Sequence, residues 1–152
     1  DMFAFCNKFN RNLSKWNVSN VTDMSGMFFH CYKFNKNIGN WDVSNVTDME
    51  SMFCECNNFN QDIGNWNVGN VTVMYYMFFN CDNFNQDIGN WDVHNLVHSN
   101  KMFFKCNKFD QYIGNWDMTN IDENITYDTI EYCPNFNWEI SNWDVCCDIY
   151  LC

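Results

Sequence analysis

Tryptophan recurs at a fixed interval along this chain of 152 residues. Five tryptophans lie 25 residues apart and a sixth follows after 27; these are Trp16, Trp41, Trp66, Trp91, Trp116 and Trp143. A fixed period of this length is typical of repeat architectures, in which one small unit is copied and each copy packs against its neighbours. The chain is therefore expected to fold as a stack of repeats around a shared interior.

Other residue types recur in register with the tryptophans. A cysteine column comprises Cys6, Cys31, Cys56, Cys81, Cys106 and Cys133. An asparagine column comprises Asn20, Asn45, Asn70, Asn95 and Asn120. With further apolar columns, the unit is F-N-Q-D-I-G-N-W-D-V-S-N-V-T-D-M-x-x-M-F-x-x-C-x-x. Since columns in register would share one interior, we expect Trp and Cys to be buried. The Asn amides should satisfy backbone groups at a corner where the chain turns.

The spacing inside one repeat predicts two short elements. Residues 41–44 alternate apolar and polar, which is typical of a half-buried strand, and apolar residues within 49–56 follow helical spacing. Neither segment is long enough to be stable alone. The sequence therefore predicts an α/β repeat solenoid of about six turns, with a short parallel β-sheet on one side and short helices on the other. We expect regular repeats over residues 1–120, and an irregular last turn and C-terminal cap over 121–152.

The repeat motif resembles that of a known group of proteins. The pattern I-x-x-W-x-V-x-N is similar to the strand signature of leucine-rich repeats, with Trp in place of Leu. The pattern V-T-x-M-x-x-M-F-x-x-C-x-x-F-N-x-x-I resembles the BspA-type leucine-rich-repeat surface proteins, over residues 2 to about 120 and again over 133–145. The resemblance implies a right-handed leucine-rich-repeat-like fold on a cell or virion surface, with a role in adhesion. It supplies no active-site residues.

Charge and composition exclude several classes of function. The net charge is −11 and the eight basic residues are scattered, so the electrostatic footprint of a nucleic-acid-binding protein is absent. No apolar run approaches the length that a membrane-spanning helix needs. Neither a catalytic triad nor a glycine-rich phosphate loop stands out from the repeat. We therefore expect no enzyme activity, no cofactor, no nucleic-acid partner and no membrane insertion in this segment.

The ten cysteines suggest structural roles more than metal binding. Unpaired cysteine is a small, commonly buried residue, so we expect buried free thiols in the column, while a disulfide between adjacent turns stays open. Cys146, Cys147 and Cys152 crowd the C-terminus, where a disulfide is plausible in an oxidising compartment. Two C-x-x-C pairs at zinc-ligand spacing are absent, so no metal site is predicted.

The polar positions of the predicted strands form a candidate ligand-binding face. If alternate residues point outward, this face comprises Asn40, Asp42, Ser44, Asn67, Asn90, Asp92, His94, Asn115 and Asp117. Amides and carboxylates at these positions suit hydrogen bonding to carbohydrate or protein. Carboxylates stacked one per turn would repel each other. Solvation, a weakly held Ca²⁺ or a raised pKa would each relieve that repulsion.

These observations favour a non-enzymatic, surface-exposed module that binds a protein or a carbohydrate. The alternative is a structural protein whose solenoid self-assembles through its ends into a fibre, shell or virion-surface layer, with Met2, Phe3 and Phe5 offering an apolar contact. Because Asp1 falls in the middle of a repeat, we expect the chain to be part of a longer protein. Localisation is not encoded in this segment; the resemblance favours a cell surface, the extracellular space or a virion surface.

Overall fold

The computed structural model describes residues 1–121, 127–136 and 143. Within these residues the regular secondary structure consists of one 3₁₀ helix, Tyr127–Ile130, and of isolated parallel bridges. The bridges join Asp23 to Asp48, Asp48 to Val73, and Val73 to His98. Each therefore connects equivalent positions of consecutive repeats, which lie side by side as stacked coils. The predicted C-terminal cap, with Cys146, Cys147 and Cys152, falls largely outside the described residues.

Each coil is a succession of β-turns. The backbone carbonyls of Ile38, Val43, Met49, Phe53 and Cys56 each accept a hydrogen bond from the N–H three residues later, over 2.8–3.2 Å. The pattern repeats in the neighbouring coils. The first and last residues of these turns are the apolar columns, and they are buried. A spacing of three between apolar residues therefore corresponds here to one β-turn.

The predicted α/β solenoid with a sheet and helices is wrong. Residues 44 and 45 form the centre of a turn between Val43 and Val46, so the segment around Trp41 is not a strand. Residues 49–56 are turns and not a helix, because Ser51 and Glu55 have φ angles of 53° and 60°, outside the right-handed helical region. The apolar spacing of three and four is shared by a helix and by consecutive β-turns.

The backbone pairing between coils lies at the methionines and not at the tryptophans. The N–H groups of Met49, Ser51, Phe53 and Glu55 donate to carbonyls of the following coil over 2.8–2.9 Å. Between these donors, the Met52 carbonyl accepts a hydrogen bond from the Phe28 N–H of the preceding coil at 2.9 Å. Ser51 and Glu55 have left-handed φ angles, and every second N–H group from residue 49 to residue 55 faces the following coil. The segment where we expected a helix is therefore the main seam between coils.

Phenylalanine rings stack along the axis of the molecule. Phe28, Phe53, Phe78 and Phe103 form one column, with centroids 5.5–5.6 Å apart and nearly parallel planes. A second column, Phe34, Phe59, Phe84, Phe109 and Phe136, has centroids 5.9–6.1 Å apart. All but one of these rings are less than 2% exposed, and Phe136 is 4% exposed. Burying a side chain of this size contributes about 2–3 kcal/mol, so the ring columns supply much of the stability of the stack.

Candidate functional site

The side chains of the predicted ligand face first serve their own turns. The Asp42 carboxylate accepts hydrogen bonds from the Ser44 N–H at 3.1 Å and from the Ser44 hydroxyl at 2.6 Å. The same two-residue bridge joins Asp117 to Thr119, Asp92 to His94, and Asn67 to Gly69. Asp and Asn commonly fix turns in this way. One oxygen of each of these side chains is therefore used by the fold.

These hydrogen bonds keep the carboxylates of the face ionised. The Ser44 hydroxyl and N–H lower the pKa of Asp42, and Thr119 does the same to the pKa of Asp117. The side chain of His94, followed by its N–H, lowers the pKa of Asp92. A raised pKa is therefore not how this face relieves its repulsion. No cluster of three or more potential metal ligands occurs in residues 1–121, 127–136 and 143.

The face nevertheless keeps unused hydrogen-bonding groups. Of its nine residues, Ser44 is half-buried and the other eight are exposed. The Asn40 amide donates to the Ser14 carbonyl at 3.1 Å, whereas Asn65, Asn90 and Asn115, which occupy the same column, make no hydrogen bond to any described residue. These three amides recur once per coil at the surface, without a hydrogen-bond partner in the described part of the chain. We call Asn65, Asn90 and Asn115 the free-amide row.

A shallow groove adjoins the free-amide row. Its volume is about 640 Å³, and its lining is polar: Asn12, Ser14, Lys36, Asn37, Gly39, Asn40, Asp62 and Asn65. The Asn37 side chain accepts a hydrogen bond from the Gly39 N–H at 2.9 Å and fixes the turn at the floor of the groove. A side chain at Gly39 would collide with the backbone carbonyl of Asp62, so glycine allows the coils to approach closely here. The groove offers amides, a hydroxyl, a carboxylate and an amine to a ligand.

The tryptophan column connects coils through the indole N–H. Trp41, Trp66, Trp91, Trp116 and Trp143 are 2–4% exposed. Their indole nitrogens donate over 3.1–3.2 Å to the carbonyls of Leu13, Ile38, Ile63, Ile88 and Ile113, each in the preceding coil. Trp16 is 40% exposed and its indole has no acceptor among the described residues. The column combines apolar burial with a directed hydrogen bond.

The cysteine column uses the same geometry. Cys31, Cys56, Cys81, Cys106 and Cys133 are buried and unpaired, while Cys6 is exposed. The Cys56 thiol donates to the Phe28 carbonyl of the preceding coil at 3.0 Å, and its four buried equivalents do the same. Burial raises the pKa of Cys56, Cys81 and Cys106 well above the ordinary thiol range, which keeps the donor proton in place. The cysteine column predicted buried free thiols but not their role as hydrogen-bond donors.

The asparagine column lies at the surface. Asn20, Asn45, Asn70, Asn95 and Asn120 are all exposed. The Asn45 amide donates to the Ser19 carbonyl at 2.8 Å, and Asn70 donates to the Ser44 carbonyl at 2.7 Å. Asn95 and Asn120 repeat this contact with Gly69 and His94. The amides satisfy turn carbonyls of the preceding coil.

A second candidate site lies on the seam between coils, in the segments equivalent to residues 49–56. It was not predicted from the sequence. Five rings form a continuous series across neighbouring coils: Tyr75, Tyr76, Phe79, Phe104 and Tyr132. The amines of Lys101 and Lys105 lie 5.5 and 5.4 Å from the centroid of Phe104. We call these seven residues the aromatic patch. The signal was the variation within columns, since Tyr75 and Tyr76 stand where the preceding coils carry Glu50 with Ser51 and Ser25 with Gly26.

Comparisons with known proteins place the chain in one family. Within the described part of the chain, no helix is both long enough and apolar enough to cross a bilayer. No curated protein and no solved structure gives a significant match. The family described as "Mycoplasma protein of unknown function, DUF285" matches residues 1–74 and 35–143, which together cover most of the chain. The chain therefore belongs to the DUF285 family of repeat proteins.

Proposed function

We propose that this chain is a non-enzymatic, surface-displayed binding module that takes a protein or a carbohydrate ligand. The observation that carries the proposal is the free-amide row, in which Asn65, Asn90 and Asn115 repeat once per coil without a described partner. Each amide offers two donors and one acceptor oxygen. The resemblance of the repeat motif to BspA-type surface proteins supports display on a surface and a role in adhesion, whereas the DUF285 family is described only as of unknown function.

The polar groove makes the row suitable for a hydroxyl-rich or peptide-like ligand. Asn37, Asn40 and Asp62 line the groove beside Asn65, so amides and a carboxylate converge on one depression. Asp42, Asp92 and Asp117 add an ionised carboxylate per coil, each with one oxygen that makes no hydrogen bond to a described residue. A ligand with groups spaced at the coil-to-coil distance would bind several coils at once, and that multivalency would raise its affinity.

The test uses the free-amide row and a matched control. The variant Asn65→Ala/Asn90→Ala/Asn115→Ala removes amides that make no hydrogen bond to a described residue. Lys33→Ala/Asn58→Ala removes two other exposed side chains that make no described hydrogen bond. Both variants and the parent would be applied to immobilised glycans and to immobilised surface proteins. We expect binding to at least one array, lost in the triple variant and kept in the control; unchanged binding in the triple variant would refute the proposal.

A second candidate function is self-assembly through the end of the stack formed by the first coil. Met2 is 68% exposed, whereas its column equivalents Met27, Met52, Met77 and Met102 are buried, and Phe5 beside it is 66% exposed. A second copy covering these side chains would bury apolar surface. Sedimentation velocity over a range of concentrations tests this alternative: Met2→Ser/Phe5→Ser should abolish any concentration-dependent association. A parent chain that stays monomeric at high concentration would exclude it.

A further inference from the structure

The aromatic patch lies in a different segment of the coil from the free-amide row. None of its ring or amine contacts given above involves a residue of the proposed ligand face. Its rings are close: Tyr75 and Tyr76 have centroids 4.1 Å apart, and Phe79 and Phe104 stack at 5.0 Å with an interplanar angle of 1°. Tyr132 meets the edge of Phe104 at 5.1 Å and is 64% exposed. The other four rings are half-buried. A contiguous, partly exposed group of aromatic side chains is typical of protein interaction sites.

The repeat does not need aromatic side chains at the positions of Tyr75 and Tyr76 in order to fold. The column of Tyr76 holds Gly26, Ser51 and Lys101 in other coils, and the column of Tyr75 holds Ser25 and Glu50. Moreover, Tyr76 has a φ angle of 56°, a conformation that glycine adopts freely and tyrosine does not. The chain therefore keeps a bulky side chain at a backbone position that disfavours it. Packing inside the coils gives no reason for this choice.

The patch is positively charged within an acidic protein. The chain has a net charge of −11 and only eight basic residues, yet Lys101 and Lys105 both lie over Phe104. The ion pairs of the described residues involve His30 and His94, so neither lysine is paired with a carboxylate there. Among the described residues, Glu50 and Glu131 are acidic residues along the same seam. Two amines without an ion pair among the described residues, beside partly exposed rings, favour an anionic partner with an apolar group.

We infer that the aromatic patch is a docking site for an acidic protein segment that carries an aromatic or aliphatic anchor. The anchor packs against Tyr132 and the edges of Tyr76 and Phe104, and its neighbouring carboxylates pair with Lys101 and Lys105. A protein partner fits better than a sugar, because a sugar ring stacks on a free flat ring face. Phe79 and Phe104 already stack on each other, and the lysine amines lie over Phe104.

The experiment uses short synthetic peptides in which Asp and Glu alternate with Leu and Phe, and the same peptides with Asn and Gln in place of the acids. Fluorescence polarisation would measure their binding to the full chain, with heparin as a parallel anionic carbohydrate probe. The variant Lys101→Glu/Lys105→Glu reverses the charge of the patch. Lys8→Glu/Lys33→Glu makes the same change in net charge at two exposed lysines outside the patch. Tyr132→Ser removes the most exposed ring without opening a cavity.

We expect the acidic peptides to bind the parent chain and their neutral counterparts to bind more weakly. Lys101→Glu/Lys105→Glu should weaken binding by about tenfold or more, and Tyr132→Ser by a few fold, while Lys8→Glu/Lys33→Glu should bind like the parent. The inference is overturned if no acidic peptide binds, or if both lysine pairs have equal effects. Binding of heparin but not of peptide at this patch would also overturn it, in favour of a carbohydrate ligand.

Discussion

The first coil, residues 1–25, and the coils that follow it carry the same residues in their columns but differ in burial. Trp16 is 40% exposed while Trp41 is 4% exposed. Cys6 is exposed, whereas Cys31 is buried and donates its thiol proton to the Phe3 carbonyl. The indole, thiol and amide donors of every later coil reach back to the coil before. A coil thus completes its interior only when another coil precedes it, so stability belongs to the interface between coils.

The largest expected difference between the two regions concerns phenylalanine. Phe53 is fully buried between Phe28 and Phe78, so Phe53→Ala should lower the free energy of unfolding by about 3–5 kcal/mol. The equivalent change Phe3→Ala should cost about half as much, because Phe3 is only partly buried. Urea unfolding followed by tryptophan fluorescence measures both. Equal losses would mean that the first coil is as well packed as the inner ones.

The indole hydrogen bond should give the next largest difference. Trp66→Phe removes the donor to the Ile38 carbonyl and leaves a small cavity, so the free energy of unfolding should fall by about 2 kcal/mol. Trp16→Phe removes an indole that has no described acceptor, so its effect should be close to zero. The same urea experiment compares them. A Trp16 variant as unstable as the Trp66 variant would contradict the interpretation of the column as a donor between coils.

The buried thiols should make inner coils sensitive to alkaline pH. Burial raises the pKa of Cys31 to about 11 and holds the pKa of Cys81 and Cys106 well above the ordinary thiol range, so the folded state binds these protons more tightly than the unfolded state. Their stabilisation is full below the ordinary thiol pKa near 9 and is lost as the pH rises from there toward the folded values. Unfolding free energies measured from pH 8 upward should therefore decline.

A matched variant separates the contribution of the thiols to the alkaline pH dependence from that of other groups that titrate at high pH. Cys81→Ala/Cys106→Ala should be less stable at pH 8. It should lose less stability as the pH rises, because it lacks two thiols whose pKa is raised in the folded state. Alkylation provides the comparison between regions: the exposed Cys6 should react in the folded chain, while Cys56, Cys81 and Cys106 should react only on unfolding. Identical pH slopes for parent and variant would show that thiol burial does not govern the alkaline response.

The sequence identified the repeat and its interior but not the backbone that carries them. The 25-residue period gives the stacking direction, and the columns Phe28, Trp41 and Cys56 are buried as their apolar character suggested. The predicted secondary structure was wrong because apolar residues three apart, as in M-x-x-M-F-x-x-C, fit a helix and a run of β-turns equally well. The deciding feature is the left-handed φ at Ser51 and Glu55, and neither residue type signals it.

The candidate sites were predictable to different degrees. The exposure of Asn40, Asp42 and Asp92 follows from their polar character, but the use of Asp42 and Asp92 as turn formers follows only from the backbone around them. The aromatic patch was not predicted, because Tyr75 and Lys101 depart from the regular columns. The columns indicate only what the coils have in common. In this chain the shared columns explain the fold and contribute the free-amide row, whereas the residues that differ between copies form the aromatic patch.

The smallest expected difference concerns the exposed asparagine column. Asn70 donates to the Ser44 carbonyl at 2.7 Å, so Asn70→Ala should lower the free energy of unfolding by about 0.5–1 kcal/mol, since a solvent-exposed hydrogen bond is partly replaced by water. Asn20 makes no hydrogen bond to a described residue, so Asn20→Ala should change stability by less than the error of the measurement. Urea midpoints at constant slope would detect the difference. If Asn70→Ala leaves the free energy of unfolding unchanged, the asparagine column aligns the corners without adding stability. The indoles and thiols would then be the side-chain donors that stabilise the contact between coils.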